Sequence, residues 1–168
     1  MKKLCLLLTS IFIFSFQQTI AQVEPRTPEG TNQSQTYKFN DNENGTSMMP
    51  IMGDALPAIK YIEDTLKVEI VRIEYDLIFT TKSSFRTLYT GWKYGIYAIG
   101  DYRIKKISIA VYKSVNKEWQ YVTTVNPGAY SALSLIEPEE TEDYLFQVKV
   151  EEFEEGFSAG HYSLIIYH

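Results

Sequence analysis

The chain has 168 residues, a formal net charge of −5 and a single cysteine. Its length fits one domain behind an export signal, and its acidic balance argues against a nucleic-acid partner, whose phosphates select clusters of Lys and Arg. Because that one cysteine, Cys5, sits in the N-terminal apolar run, the remainder of the chain is without disulfides, thiol nucleophiles or cysteine metal ligands.

Lys2 and Lys3 precede an apolar run from Leu4 to Phe16, and Thr19-Ile20-Ala21 places a small residue before Gln22. This pattern predicts a secretory signal over residues 1–21, cleaved after Ala21. The apolar run is shorter than the ~20 residues that span a bilayer. The expectation is therefore an exported protein, periplasmic or extracellular, with no stable membrane insertion after cleavage. Cys5 stands at the start of that run, whereas a lipidated cysteine belongs at its end. Loss of Lys2 and Lys3 takes the charge from −5 to −7.

Residues 22–53 are polar and unpatterned, with Pro25, Pro28, Gly30 and the stretch Asn40-Asp41-Asn42-Glu43-Asn44-Gly45. They have too little apolar surface to offset the ~1–2 kcal/mol per residue of backbone ordering, and are expected to form a disordered leader. The Asp41–Gly45 stretch lacks the later bidentate Glu of a calcium loop. Over residues 54–66, Leu56, Ile59, Ile62 and Leu66 recur at helical spacing. That predicts one short helix with Asp54 as its cap and Pro57 in its first turn. It would plug one end of the fold.

From Val71 onward the period changes to two. Val71, Ile73, Tyr75, Leu77 and Phe79 alternate with polar residues, and Phe85 to Tyr89 forms the next segment. Tyr94, Ile96 and Ala98 are read as facing inward, followed by the Gly100-Asp101 turn. Ile107, Ile109 and Val111 face in, with Lys106, Ser108 and Tyr112 facing out. Trp119 to Val125 ends at Asn126-Pro127-Gly128, a turn signal. Ala132 to Ile136, then Tyr144, Phe146, Val148 and Val150, then Tyr162, Leu164 and Ile166 complete the series. Seven or eight short strands at this spacing predict an all-β fold, an antiparallel β-sandwich of jelly-roll type over residues 54–168.

The block Gly91-Trp92-Lys93-Tyr94-Gly95-Ile96-Tyr97-Ala98-Ile99-Gly100-Asp101 carries a G-x-x-Y-x-I-x-A-x-G-D pattern. Glu137-Pro138, Tyr144 and the closing Gly160-His161-Tyr162-Ser163-Leu164-Ile165-Ile166 follow in order. Across roughly residues 68–168 this order resembles the bacterial pre-peptidase C-terminal (PPC) domains and their secreted relatives. The resemblance implies a small jelly-roll sandwich, appended to a secreted enzyme or standing alone without an assigned activity.

Catalytic and metal chemistry find little footing. Ser158 lacks the flanking glycines of a nucleophile elbow, and His161, read as outward, and His168 do not amount to a zinc ligand set. No cofactor is expected. Acids are dense at Glu137, Glu139, Glu140, Glu142 and Asp143, and again from Glu151 to Glu155. A glycan hydrolase would need two of them in one cleft, one with a raised pKa. Runs of acids in turns are ordinarily solvated. The bases from Lys82 to Lys117 either meet these acids in the fold or, around Lys105 and Lys106, form an anion-binding patch.

The aromatic residues are the most informative group. Tyr89, Trp92, Tyr97, Tyr102, Tyr112, Trp119, Tyr121 and Tyr130 crowd the middle of the chain. They serve either as core and cross-strand pairs or as a surface patch that stacks on sugars or contacts protein. The candidate binding residues are Tyr97, Tyr112 and Tyr121, with Lys105 and Lys106. The function expected is a secreted, non-catalytic module binding a protein or a glycan. The alternatives are a structural envelope protein without a ligand and a carboxylate-dependent glycan hydrolase.

Overall fold

The structure, a computed structural model, describes residues 47–168. The signal at 1–21, the rejected calcium-loop stretch and residues 22–46 of the leader lie outside the described residues. Period-two alternation yields eight strands: β1 (Ile70–Ile78), β2 (Thr81–Leu88), β3 (Tyr94–Gly100), β4 (Ile104–Val115), β5 (Glu118–Val125), β6 (Ser131–Ile136), β7 (Glu142–Phe153) and β8 (Gly160–Tyr167). They pair antiparallel in two four-stranded sheets, β1-β8-β3-β6 and β2-β7-β4-β5. The chain changes sheet at every connection except β4 to β5, which is a hairpin. Eight strands in that order make a jelly roll.

The alternation read from β4, β7 and β8 holds. Ile107, Ile109, Val111, Phe146, Val148 and Leu164 are buried between the sheets, with Tyr94, Ile96, Ala98, Tyr162 and Ile166. Side chains alternate across each strand, so the period-two row becomes one oily layer without a cross-link.

Val71 packs on the inner core as expected, but beyond the register shift at Ile70/Arg72 β1 runs in the opposite phase to the one expected. Arg72, Glu74 and Asp76 pair with Ile166, Leu164 and Tyr162, which places them on the interior-facing side. Here β1 and β2 are edge strands of the two sheets, and their polar residues close the seam between them. The Ser84 hydroxyl donates to Glu74 Oε1 at 2.6 Å, Lys82 Nζ meets Asp76 Oδ2 at 2.6 Å, and Arg72 pairs with Glu74. An edge lined by charge also resists pairing with another chain. Phe79 falls beyond the strand end and is exposed.

A helix, α1 (Met49–Lys60), continues into a π-helical turn at Tyr61–Leu66. It begins five residues before the expected start. Pro50 occupies the first turn, where a missing N–H costs nothing, whereas Pro57 lies in the interior and Asp54 is no cap. Ile59, Ile62 and Leu66 of the expected face do pack, joined by Ile51 and Ala55, while Leu56 is exposed. Instead of plugging an end, this face covers the outer side of the β1-β8-β3-β6 sheet. It buries Tyr97, Ile99, Ile165 and Tyr167 there.

The Gly100-Asp101 and Gly160-His161 motifs meet at one end of the sandwich. A Cβ on Gly100 or Gly160 would come within 2.6 Å or 2.7 Å of Ile104, so both must be glycine. Asp101 is fully buried; its carboxylate accepts from the Arg103 amide at 3.0 Å, Arg103 Nε at 2.9 Å and the His161 amide at 3.0 Å. Arg103 Nη2 also donates to His161 Nδ1, since a guanidinium only donates. Burial first, and then the Arg103 charge, pushes the His161 pKa below its ordinary value. His161 lies on the outward side of β8, as expected, yet it is buried as a neutral acceptor.

Candidate functional site

The outer face of the β2-β7-β4-β5 sheet lacks any covering helix among the described residues. Its central row runs Phe85, Leu145, Tyr112, Tyr121 across the four strands. Leu88 and Ser84 of β2 point inward, which sends Phe85 out, 55% exposed. Tyr121 is 61% exposed and Trp119 is 44% exposed.

Two local features aim these rings. Asn116 and Lys117 both adopt left-handed backbone conformations (φ 53° and 68°), the geometry of a two-residue hairpin turn that joins β4 to β5. A β-bulge then breaks the register between Val111/Thr123 and Tyr112/Tyr121. Thr123 opposes the inward Val111. Strict alternation from it would turn Tyr121 and Trp119 into the sandwich. The extra residue, Val122, shifts the phase, so both rings reach the outer face.

Tyr112 and Tyr121 lie edge-on at 5.8 Å with planes 72° apart. Trp119 leans over Ser114, its small cross-strand neighbour, and reaches Phe85 with centroids 5.7 Å apart and planes at 44°. Phe85, Arg86, Thr87, Trp119 and Asp143 line a shallow groove of about 330 Å³. That is at the small end of the ~300–1,000 Å³ of ligand sites. Within it the Thr87 hydroxyl donates to Asp143 Oδ1 at 2.5 Å. The groove thus combines apolar ring faces with a hydroxyl and a carboxylate.

Of the residues singled out from the sequence, Tyr112 and Tyr121 come together on this face. Tyr97 does not: it is 8% exposed, beneath α1. Lys105 and Lys106 lie at the far end of β4 and share one carboxylate, Glu152, with Lys105 Nζ at 2.5 Å. Hydrogen bonds from the two lysines hold the Glu152 pKa down at about 2. Both lysines are thus engaged by one carboxylate, and basic and acidic stretches meet, as Lys93 and Glu137 also do at 3.2 Å. Sequence reasoning left Phe85, Thr87 and Asp143 out of the site. The inward Leu88, three residues on, is the signal that could have placed Phe85.

Other chemistry has no comparable setting. Among the described residues no group of three or more His, Cys, Asp or Glu could hold a metal ion. No helix there is long and apolar enough to cross a membrane. The carboxylates with displaced titration, Asp76, Glu151 and Glu152, all move down, each chiefly through a hydrogen bond from lysine.

No protein-family model and no curated protein matches the chain. Solved structures do. The pre-peptidase C-terminal domain of collagenase from Bacillus anthracis is similar at 11% identity and a TM-score of 0.44, over 56% of this chain and 87% of that one. This is the family that the Gly-Asp and Gly-His-Tyr motifs resemble, and the likeness is one of fold. A structure from Sulfurospirillum deleyianum aligns at 10% identity and a TM-score of 0.39, over 57% of this chain and 96% of the other. A structure described as CBM4 aligns at 15% identity and a TM-score of 0.33, over 63% and 83%.

Proposed function

We propose that this protein is an exported, non-catalytic module that binds a glycan through the outer face of its β2-β7-β4-β5 sheet. One observation carries the reading: Phe85, Trp119 and Tyr121 stand exposed on one face around the half-buried Tyr112, beside Thr87 and Asp143. Sugar rings present C–H faces that stack on aromatic rings and hydroxyls that need fixed donors and acceptors. The groove offers both, and ligand sites are typically apolar surfaces with a few placed polar groups. Binding rather than hydrolysis is supported by the groove lining, which includes one carboxylate, Asp143, where a glycosidase needs two. The signal at residues 1–21 supports export.

Affinity electrophoresis of the full chain through gels containing soluble polysaccharides tests this. The expected outcome is retardation by at least one polysaccharide, abolished in Trp119→Ala. Free migration through every gel, or hydrolysis of the polysaccharide, would refute the reading.

A further inference from the structure

We infer, building on that glycan-binding reading, that the face takes single, soluble, uncharged glycan chains and not the flat surface of a crystalline polysaccharide. The ring planes decide the first half. A crystalline surface is planar, and it contacts two rings fully only where those rings are nearly coplanar. Phe85 and Trp119 are tilted by 44°, and Tyr112 and Tyr121 by 72°. A plane seated on one ring of either pair therefore parts from the other. Gaps of ~1 Å already forfeit up to half of a dispersion contact. A single chain rotates about its glycosidic bonds and can present successive sugar faces to differently inclined rings.

The charges decide the second half. Asp143 brings a carboxylate to the groove, hydrogen-bonded to the Thr87 hydroxyl. An uncharged sugar hydroxyl can give its proton to that carboxylate. A chain bearing a carboxylate on every sugar would meet Asp143 at close range and a protein of net charge −5 at longer range.

The test uses the full chain and three kinds of probe: cellohexaose, laminarihexaose and mannohexaose as soluble neutral chains; microcrystalline cellulose; and soluble polygalacturonate. Calorimetric titration is expected to show binding of at least one neutral hexasaccharide. Phe85→Ala and Trp119→Ala should each weaken it about tenfold or more, with circular dichroism unchanged. Sedimentation with cellulose should leave the protein in the supernatant, and polygalacturonate should bind more weakly than the best neutral chain. Depletion onto microcrystalline cellulose, or tighter binding of polygalacturonate, would overturn this inference while leaving glycan binding intact. Failure of all probes would overturn the glycan reading and this inference with it. Neutral binding that survives both substitutions would remove the site from this face.

Discussion

The two sheets of the sandwich each carry large apolar side chains on their outer faces, and among the described residues only one face is covered. Outside β1-β8-β3-β6, the residues Tyr97, Ile99, Ile165 and Tyr167 lie beneath Ile51 and Ala55 of α1 and Ile62 of the π-helical turn. Outside β2-β7-β4-β5, Phe85, Trp119 and Tyr121 face water. The same strand chemistry is a second core in one place and a candidate site in the other. What separates them is the presence of a helix that supplies the missing apolar partner. An exposed cluster of large apolar residues is the exception in a soluble domain and marks a contact surface.

Substitutions should separate the faces, beginning with the largest effects. Asp101→Ala, at the buried cluster where β3 leaves the covered sheet, removes the carboxylate that pairs with the buried Arg103. Breaking such a pair costs about 3–5 kcal/mol, and urea unfolding should show a loss of that size. Ile165→Ala opens a cavity under α1 and should cost about 2–5 kcal/mol. Trp119→Ala on the bare face should change stability by less than about 1 kcal/mol, while removing binding. If Trp119→Ala destabilises as much as Ile165→Ala, the ring is core and the contrast between the faces is lost.

A smaller effect depends on pH. Burial, followed by the Arg103 charge, lowers the folded-state pKa of His161 from its ordinary 6.5. The unfolded chain then binds the proton more readily than the native one. Stability is therefore full above pH 6.5 and falls as the pH drops from 6.5 toward the lowered native value. Denaturant midpoints measured across that interval should show the decline, and His161→Gln should flatten it. Glu152 acts lower, its stabilisation fading as the pH falls from 4.5 toward about 2. It is solvent-exposed, so salt should diminish its share.

Much of the architecture was legible because burial imposes a period. The inward sets of β4, β7 and β8 follow directly from alternation, and a jelly-roll sandwich follows from the number and spacing of strands. β1 escaped because it is an edge strand: its interior-facing positions hold Arg72, Glu74 and Asp76, which close a seam with β2 instead of filling the core. Alternation states which side a residue faces and says nothing about what covers that side. Tyr97 was therefore grouped with Tyr112 and Tyr121, although α1 buries it. The bulge at Val122 was equally invisible, since one extra residue leaves no compositional mark while reversing the phase of Trp119 and Tyr121. The helix start was missed because Ile51 gains its meaning only from the sheet beneath it.

The chain has two tryptophans, and Trp92 stacks on His168 rather than on the aromatic face. In a Trp92→Phe protein, Trp119 is the sole source of tryptophan emission. Titration of that protein with its best-binding neutral hexasaccharide should shift or quench the emission in a saturable way, with the same dissociation constant found by calorimetry. Saturable calorimetric binding with emission unchanged from start to finish would place the sugar away from Trp119 and contradict the assignment of this face.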